Sequence, residues 1–331
     1  MLRRPLALIA ALLLILLISW SLRPKPSAEV ARTALIMGTL VEIKGVGPDQ
    51  KHTEEAISAA FDIMKSEEAR FSSRIETSQI SAINRNKGAL EADPEVLFVL
   101  QLGQQISRQS AGAFHMGLGR LIKLWGFEAV NPRVPETQAI KQLLPAFTQD
   151  AVSMAGTGVE RTDPRIQLDL GGIAKGYAVD RALEVLRASG LQSASVNAGG
   201  DIGLLGGHGE RPWKIGIQHP RKPGELLATL ELRDRAIVTS GDYERFFEID
   251  GVRYHHILNP QTGLPARACQ SVTVVAPRVA EADALATAVF VLGPNKGLAL
   301  LENSSAVEGL IVGADGQVKV TAGLKGQVQW R

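Results

Sequence analysis

Leu168-Asp169-Leu170-Gly171-Gly172-Ile173-Ala174-Lys175-Gly176 opens as a strand, turns on two glycines and enters a helix, with Asp169 before the turn and Lys175 after it. Glycine lets the backbone approach a ligand closely, free N–H groups at a helix start favour phosphate, and Lys175 adds a point charge. The spacing is neither that of the P-loop nor that of the dinucleotide fingerprint. On both sides of the joint, helices and strands alternate without a regular βαβ order, so the expected class is α+β: one compact domain with a cleft.

Downstream, the helix that follows Gly176 runs to about Ala188 and stops at Gly190, a C-terminal glycine. Short apolar runs at Ala194–Val196, Trp213–Ile217, Ala228–Leu232 and Ser271–Ala276 read as strands. A helix is expected over Ala280–Val291, ending at Gly293-Pro294, and the tail Ala306–Val320 alternates like a hairpin through Asp315-Gly316. Upstream, Leu35–Ile43 reads as a strand interrupted by M-G-T. Glu54–Phe71 carries Ala56, Ile57, Ala60, Ile63 and Met64 at helical spacing, and Pro94–Ser110 forms a helix opened by Asp93 and Pro94.

The chain has 331 residues, 45% of them hydrophobic, with 36 Lys+Arg against 34 Asp+Glu. That balance gives no broad basic surface for nucleic acid, so a polyanionic ligand must be met by local chemistry. The single cysteine, Cys269, excludes an internal disulfide and a multi-cysteine metal site; next to an apolar strand it reads as a small buried side chain. At the N-terminus, Arg3 and Arg4 precede an uncharged apolar run from Leu6 to Trp20, then Arg23 and Lys25 follow. This pattern suits a signal anchor through the inner membrane over residues 6–22, with positive charge inside and the body in the periplasm. Pro26 spoils the small-x-small cleavage pattern at Ala28, which favours an uncleaved anchor over a cleaved signal. Residues 1–29 are then anchor and linker, and 30–331 the folded domain.

Three further segments could carry chemistry. Val196-Asn197-Ala198-Gly199-Gly200-Asp201-Ile202 ends a strand in a glycine turn, where Asp201 reads most simply as a turn residue bonding backbone. Thr239-Ser240-Gly241 reads as a turn able to meet phosphate oxygens, and is followed by His255 and His256. In an extended segment these two histidines face opposite sides, so at most one can point into a given site. Asp283 and Thr287 lie four apart on a nearly all-apolar helix and so share a buried face. A buried carboxylate needs a cation or several donors, and oxygen ligands suit a hard ion such as Mg2+. Helix-start stabilisation by Asp283 and a back-bond from Thr287 to a carbonyl explain the pair equally well at this point.

Taken in order, these segments resemble the FAD:protein FMN transferase (ApbE) family. The set runs from M-G-T at Met37, through F-S-x-x-x-x-x-S-x-I-S-x-I-N (Phe71–Asn84), G-A-F and L-W-G-F (Gly112–Phe127). L-D-L-G-G-I-A-K-G-Y-A-V-D, N-A-G-G-D, T-S-G-D-Y, H-H-I-L-N-P-x-T-G-x-P and A-D-A-L-A-T follow. The resemblance implies a T-fold-like domain with a mixed or antiparallel sheet. It implies an enzyme that binds FAD and, with Mg2+, attaches FMN by a phosphoester to a threonine or serine of an acceptor flavoprotein in the periplasm or membrane, releasing AMP. By resemblance, Met37, Arg74, Ala113, Phe114, His115, Asp169, Lys175 and Ile257 line the flavin nucleotide site. Asp283, Thr287 and the main-chain oxygen of Ala174 hold the magnesium, Asp283 thereby serving catalysis, and His256 accepts or relays the hydroxyl proton. Two departures stand out: Arg74 where the family commonly has tyrosine, and A-F-H-M-G-L-G-R (Ala113–Arg120) where it commonly reads A-F-D-P-T-V-G-P. Both His115 and Arg120 are expected to add or permit positive charge toward the nucleotide.

The same residues would serve a magnesium-dependent FAD pyrophosphatase in which water replaces the acceptor hydroxyl. A membrane-tethered flavin carrier without catalysis is the reading from another class, and Asp169, Asp283 and Thr287 argue against it, since a carrier needs no magnesium site.

Overall fold

A computed structural model describes residues 28–127 and 129–331. The apolar run expected to anchor the chain lies outside them. Among the described residues, no helix is long and apolar enough to cross a membrane.

The strands Ala28–Ile36, Thr39–Gly47, Ser193–Ala198, Asp201–Leu205, Ala236–Gly241, Cys269–Ala276, Glu308–Gly313 and Val318–Val320 form one eight-stranded sheet. Their order across the sheet is their order in the chain, and every neighbouring pair is antiparallel. The interruption at M-G-T is a tight hairpin turn, with Met37 at φ 54° and Gly38 at φ 69°. Positive φ at both central residues matches the twist of the flanking strands, and it places Met37 at the hairpin tip.

Each face of the sheet has its own cover. Adjacent side chains point to opposite faces, so Val238, Val274 and Ile311 join the helix-side core while Ile237, Val275 and Leu310 join the other. Burial on both faces makes these strands read as continuous apolar runs rather than alternating ones. On the far face lies a three-stranded sheet of Trp213–Gln218, Leu226–Leu232 and Gln329–Trp330. The near face carries the helices Gln50–Phe71, Ala174–Ala188 and Val279–Leu292. The last is buried nearly all round, including Ala280, Ala282, Ala284, Leu285 and Ala288. A helix apolar on nearly every side belongs inside, and that fixes where Asp283 and Thr287 must sit.

The expected helices and strands occur, with ends shifted by a few residues, among them Pro94–Gln109 and the Glu308–Gly313 hairpin with Val318–Val320. Two segments differ. Thr239-Ser240-Gly241 is not a turn but the end of a central strand, where Thr239 Oγ1 bonds Thr273 Oγ1 across the pair at 2.8 Å. The run before Gly171 is extended but pairs by a single bridge, Leu118 with Gln167. The Asn84 side chain supplies the missing ladder partner, accepting from Leu168 N at 2.7 Å and donating to Leu168 O at 2.9 Å.

Candidate active site

Two helices build the centre of the site. Ala174–Ala188 and Val279–Leu292 cross where Gly176 faces Val279 and Ala280: a Cβ on Gly176 would lie 2.6 Å from Val279 O. Only glycine permits that approach. At the crossing, Gly176 N donates to Asp283 Oδ2 at 3.2 Å. One turn further, Asp180 accepts from Val279 N at 2.9 Å and Ala280 N at 3.1 Å, so one helix caps the start of the other.

Asp283 is buried at 5% exposure, and Asp201 at 2% stands beside it, paired with Lys175. Burial, and then the Asp201 charge, push the Asp283 carboxyl well above the usual carboxylate range, against the pull of Lys175 and the Gly176 N–H. For Lys175, burial works against the charged form, but Asp201 and Asp283 outweigh it and its pKa is raised. Lys175 is therefore a cation at any physiological pH. Thr287 lies on the same face as Asp283. A Cβ on Gly172 would sit 3.3 Å from both Thr287 Oγ1 and Phe114 Cε2, so the glycine turn, Phe114 and Thr287 converge on one spot. Among the described residues, the Thr287 hydroxyl makes no hydrogen bond to a helix carbonyl, unlike Ser110 Oγ, which bonds Ile106 O at 2.7 Å.

The glycine turn offers fewer free donors than its sequence suggests. Gly171 N bonds Asp169 Oδ1, Ile173 N and Ala174 N bond Leu170 O, and Gly176 N is taken by Asp283. Positive character here comes from Lys175 more than from the helix start. Asp169 Oδ2 accepts from Ser73 Oγ at 3.0 Å, which brings Arg74, the next residue and exposed, to the same rim. Met37 sits at the tip of a hairpin that Gly199 N, donating to Leu40 O at 3.3 Å, seats against the turn that carries Asp201.

The paired histidines divide as an extended strand requires. His255 Nε2 donates to Ala266 O at 2.6 Å and its Nδ1 accepts from Ile257 N at 3.3 Å, a structural arrangement that also fixes Ile257. His256 faces the other way, and its Nδ1 is buried without a hydrogen-bond partner. Burial, then the charges of Arg245, His255 and Lys175, lower its pKa to about 4, so the imidazole is neutral.

His115 does not join the group. Its Nδ1 accepts from Gly117 N at 2.9 Å and its Nε2 donates to Thr148 O at 3.0 Å, with Phe147 edge-on. Burial lowers its pKa, which disfavours the positive charge expected of this departure from the family pattern. Ala113 beside it is buried. Cys269 is buried as well, its thiol pushed up to about 12 by burial and by Asp242, and it is no nucleophile. Asp201 and Asp180 are the residues the sequence left without a site role.

Comparison with known proteins follows the same outline. A profile of the ApbE family matches residues 37–311. The FAD:protein FMN transferase of Treponema pallidum is 35% identical over 322 residues, covering 91% of this chain and 89% of that one. The ApbE protein of Thermotoga maritima superposes with a TM-score of 0.85 at 34% identity, over 91% of this chain and 99% of that structure. The flavin transferase ApbE of Vibrio cholerae gives 0.81 at 28% identity, over 91% and 100%. A match of this extent to the sequence, the antiparallel sheet and the helix pair together means that the chain belongs to the ApbE family.

Proposed function

We propose that this chain cleaves FAD and transfers the FMN half to a threonine or serine hydroxyl of an acceptor protein, releasing AMP, at the crossing of helices Ala174–Ala188 and Val279–Leu292. The observation that carries the reading is the meeting of Phe114 and Thr287 at Gly172, next to the helix crossing where Asp283 accepts from Gly176 N and Asp201 pairs with Lys175. The names borne by the Treponema and Vibrio relatives supply the reaction class.

The residues fit Mg2+. A buried carboxylate whose charged form is disfavoured by its surroundings, a threonine hydroxyl on the same helical face and a main-chain carbonyl at Ala174 make an oxygen donor set. Mg2+ characteristically shares its shell with substrate phosphate and water, so few protein ligands are needed. Bound there, Mg2+ would offset charge on the phosphoryl oxygens.

This chain's own groups do the rest. Lys175, held cationic by Asp201 and Asp283, sets a fixed positive charge beside the phosphates. His256 offers an unpartnered, neutral Nδ1 to take the acceptor hydroxyl proton as that oxygen bonds to the FMN-side phosphorus and the bond to the AMP oxygen breaks. Phe114, Met37 and Ile257 give apolar contact for the flavin nucleotide, and Asp169 and Arg74 its polar rim. Positioning supplies most of the acceleration in such a transfer.

The charged start and apolar run of residues 3–25 support a tether in the inner membrane with the domain in the periplasm. Incubation with FAD, Mg2+ and a candidate acceptor tests the reaction: flavin fluorescence on the denatured acceptor band supports transfer. Free FMN and AMP with no labelled band would instead establish the pyrophosphatase. Protease shaving of spheroplasts tests the tether, and a domain protected from the outside would overturn it.

A further inference from the structure

A concavity of about 720 Å³ is lined in part by Ile166 and Gln167, on the extended segment that leads to Asp169. Its wall includes Arg120, Lys123, Arg133 and Arg161, and among the described residues no Asp or Glu lines it. In a chain whose charges nearly cancel, four cations around one hollow are a local concentration. Arg120 and Lys123 stand three apart on the helix Gly119–Trp125, hence on one side of it, and both are exposed, as is Arg133. Arg161 forms the floor, clamped by neutral backbone: it donates to Ile83 O at 3.1 Å, Ile166 O at 2.7 Å and Asn86 O at 2.6 Å. Burial and the neighbouring charge of Arg120 disfavour its charged form. The carboxylate within reach of Arg120, Asp163, is occupied by Arg165 through Nε at 3.0 Å and Nη2 at 2.6 Å.

The hollow shares a wall with the candidate active site. Gln167 and Asn84 line it, and Asn84 clasps Leu168, the residue before Asp169. Binding here would therefore act on the segment that leads into the glycine turn. We propose that this basic hollow docks an acidic segment of the protein acceptor, steering its hydroxyl toward the phosphate; the proposal rests on the transfer reading above. Three of the four cations are spread over a helix and a loop at the rim, a spacing that suits several carboxylates along a chain rather than one compact phosphate. A flat lipid surface cannot enter a concavity, and a transfer to protein requires a macromolecule next to the flavin nucleotide.

The test uses fluorescein-labelled peptides with a central threonine flanked either by glutamates or by lysines. Anisotropy is measured against the full chain, its Lys123→Glu/Arg133→Glu variant and the neutral Lys123→Gln/Arg133→Gln variant. The glutamate peptide is expected to bind the parent about tenfold more tightly than the lysine peptide, a preference erased by high salt. The neutral variant should lose much of it and the reversed variant, whose two glutamates offset Arg120 and Arg161, should abolish it, while quenching of FAD fluorescence stays unchanged. Equal binding of the two peptides would overturn the proposal. So would loss of FAD binding in the neutral variant, which would make the hollow part of the nucleotide site, or binding to phosphatidylglycerol vesicles without any peptide preference. Failure of the transfer reading is visible separately, as an intact peptide preference with no covalent flavin on any acceptor.

Discussion

The backbone N–H of Gly176 donates to Asp283 Oδ2 at 3.2 Å, and the same glycine is where helix Ala174–Ala188 touches helix Val279–Leu292. Contact and hydrogen bond depend on each other, because the bond closes only if the helices meet. Gly176→Ala puts a methyl group 2.6 Å from Val279 O, against backbone that cannot yield. We expect an overpacking cost of about 1–3 kcal/mol and a Tm lower by several degrees. Transfer rate should fall further than stability, since Asp283 and Lys175 move apart. Calorimetry and a flavin-transfer assay check this, and a variant with parental rate would show that the crossing does not set the site.

Asp283→Ala separates function from stability. A buried carboxylate that burial and Asp201 push toward its neutral form costs the fold more without a cation than its hydrogen bond from Gly176 N returns. Removing it should abolish turnover while leaving the metal-free Tm unchanged or higher. Addition of Mg2+ should raise the Tm of the parent and not of the variant. Residual activity that still responds to Mg2+ would place the ion elsewhere.

The pKa of His256, near 4, lies below the ordinary 6.5, so between those values the unfolded chain binds more protons than the folded one. The stability it supports is full above pH 6.5 and falls as the pH drops toward 4, by about 3 kcal/mol at the limit. His256→Gln should flatten that part of the pH–Tm curve. In the parent, transfer should show no acid limb from His256 until well below pH 6. The variant should bind FAD normally and turn over more slowly; equal rates would remove His256 from proton transfer.

Much of this was legible as pattern. Apolar runs marked the strands, helical spacing marked Glu54–Phe71 within the helix Gln50–Phe71, and Asp283 and Thr287 stood out as polar residues in a nearly all-apolar helix. Asp201 was not, because N-A-G-G-D is locally a complete turn, and its role is decided by register. Gly203, two residues on, points at Val179, Leu183 and Val279, so Asp201 shares the helix-facing side. The period of two was there to read: Ile202 and Leu204 belong to the opposite core. The free N–H groups of the glycine turn and the orientation of His115 were hidden for a different reason. Both depend on backbone hydrogen bonds to Leu170 and Thr148, which no side-chain pattern records.

Asp180 offers a test of how the site is held without touching substrate. Its carboxylate caps Val279 and Ala280 from the neighbouring helix, with Arg278 Nε 3.6 Å away. Removing the acceptor leaves two buried N–H groups unpaired, a loss of about 1–2 kcal/mol by the usual cost of a helix cap. Asp180→Ala should therefore lower Tm by several degrees and shift the start of the helix that bears Asp283. Asp180→Asn keeps an oxygen for one of the two N–H groups and should restore part of both stability and rate. If the site depends on this cap, the Mg2+ concentration for half-maximal rate should rise in Asp180→Ala and recover in Asp180→Asn. A change in Tm with the Mg2+ dependence unmoved would make Asp180 a stabiliser of the fold and nothing more.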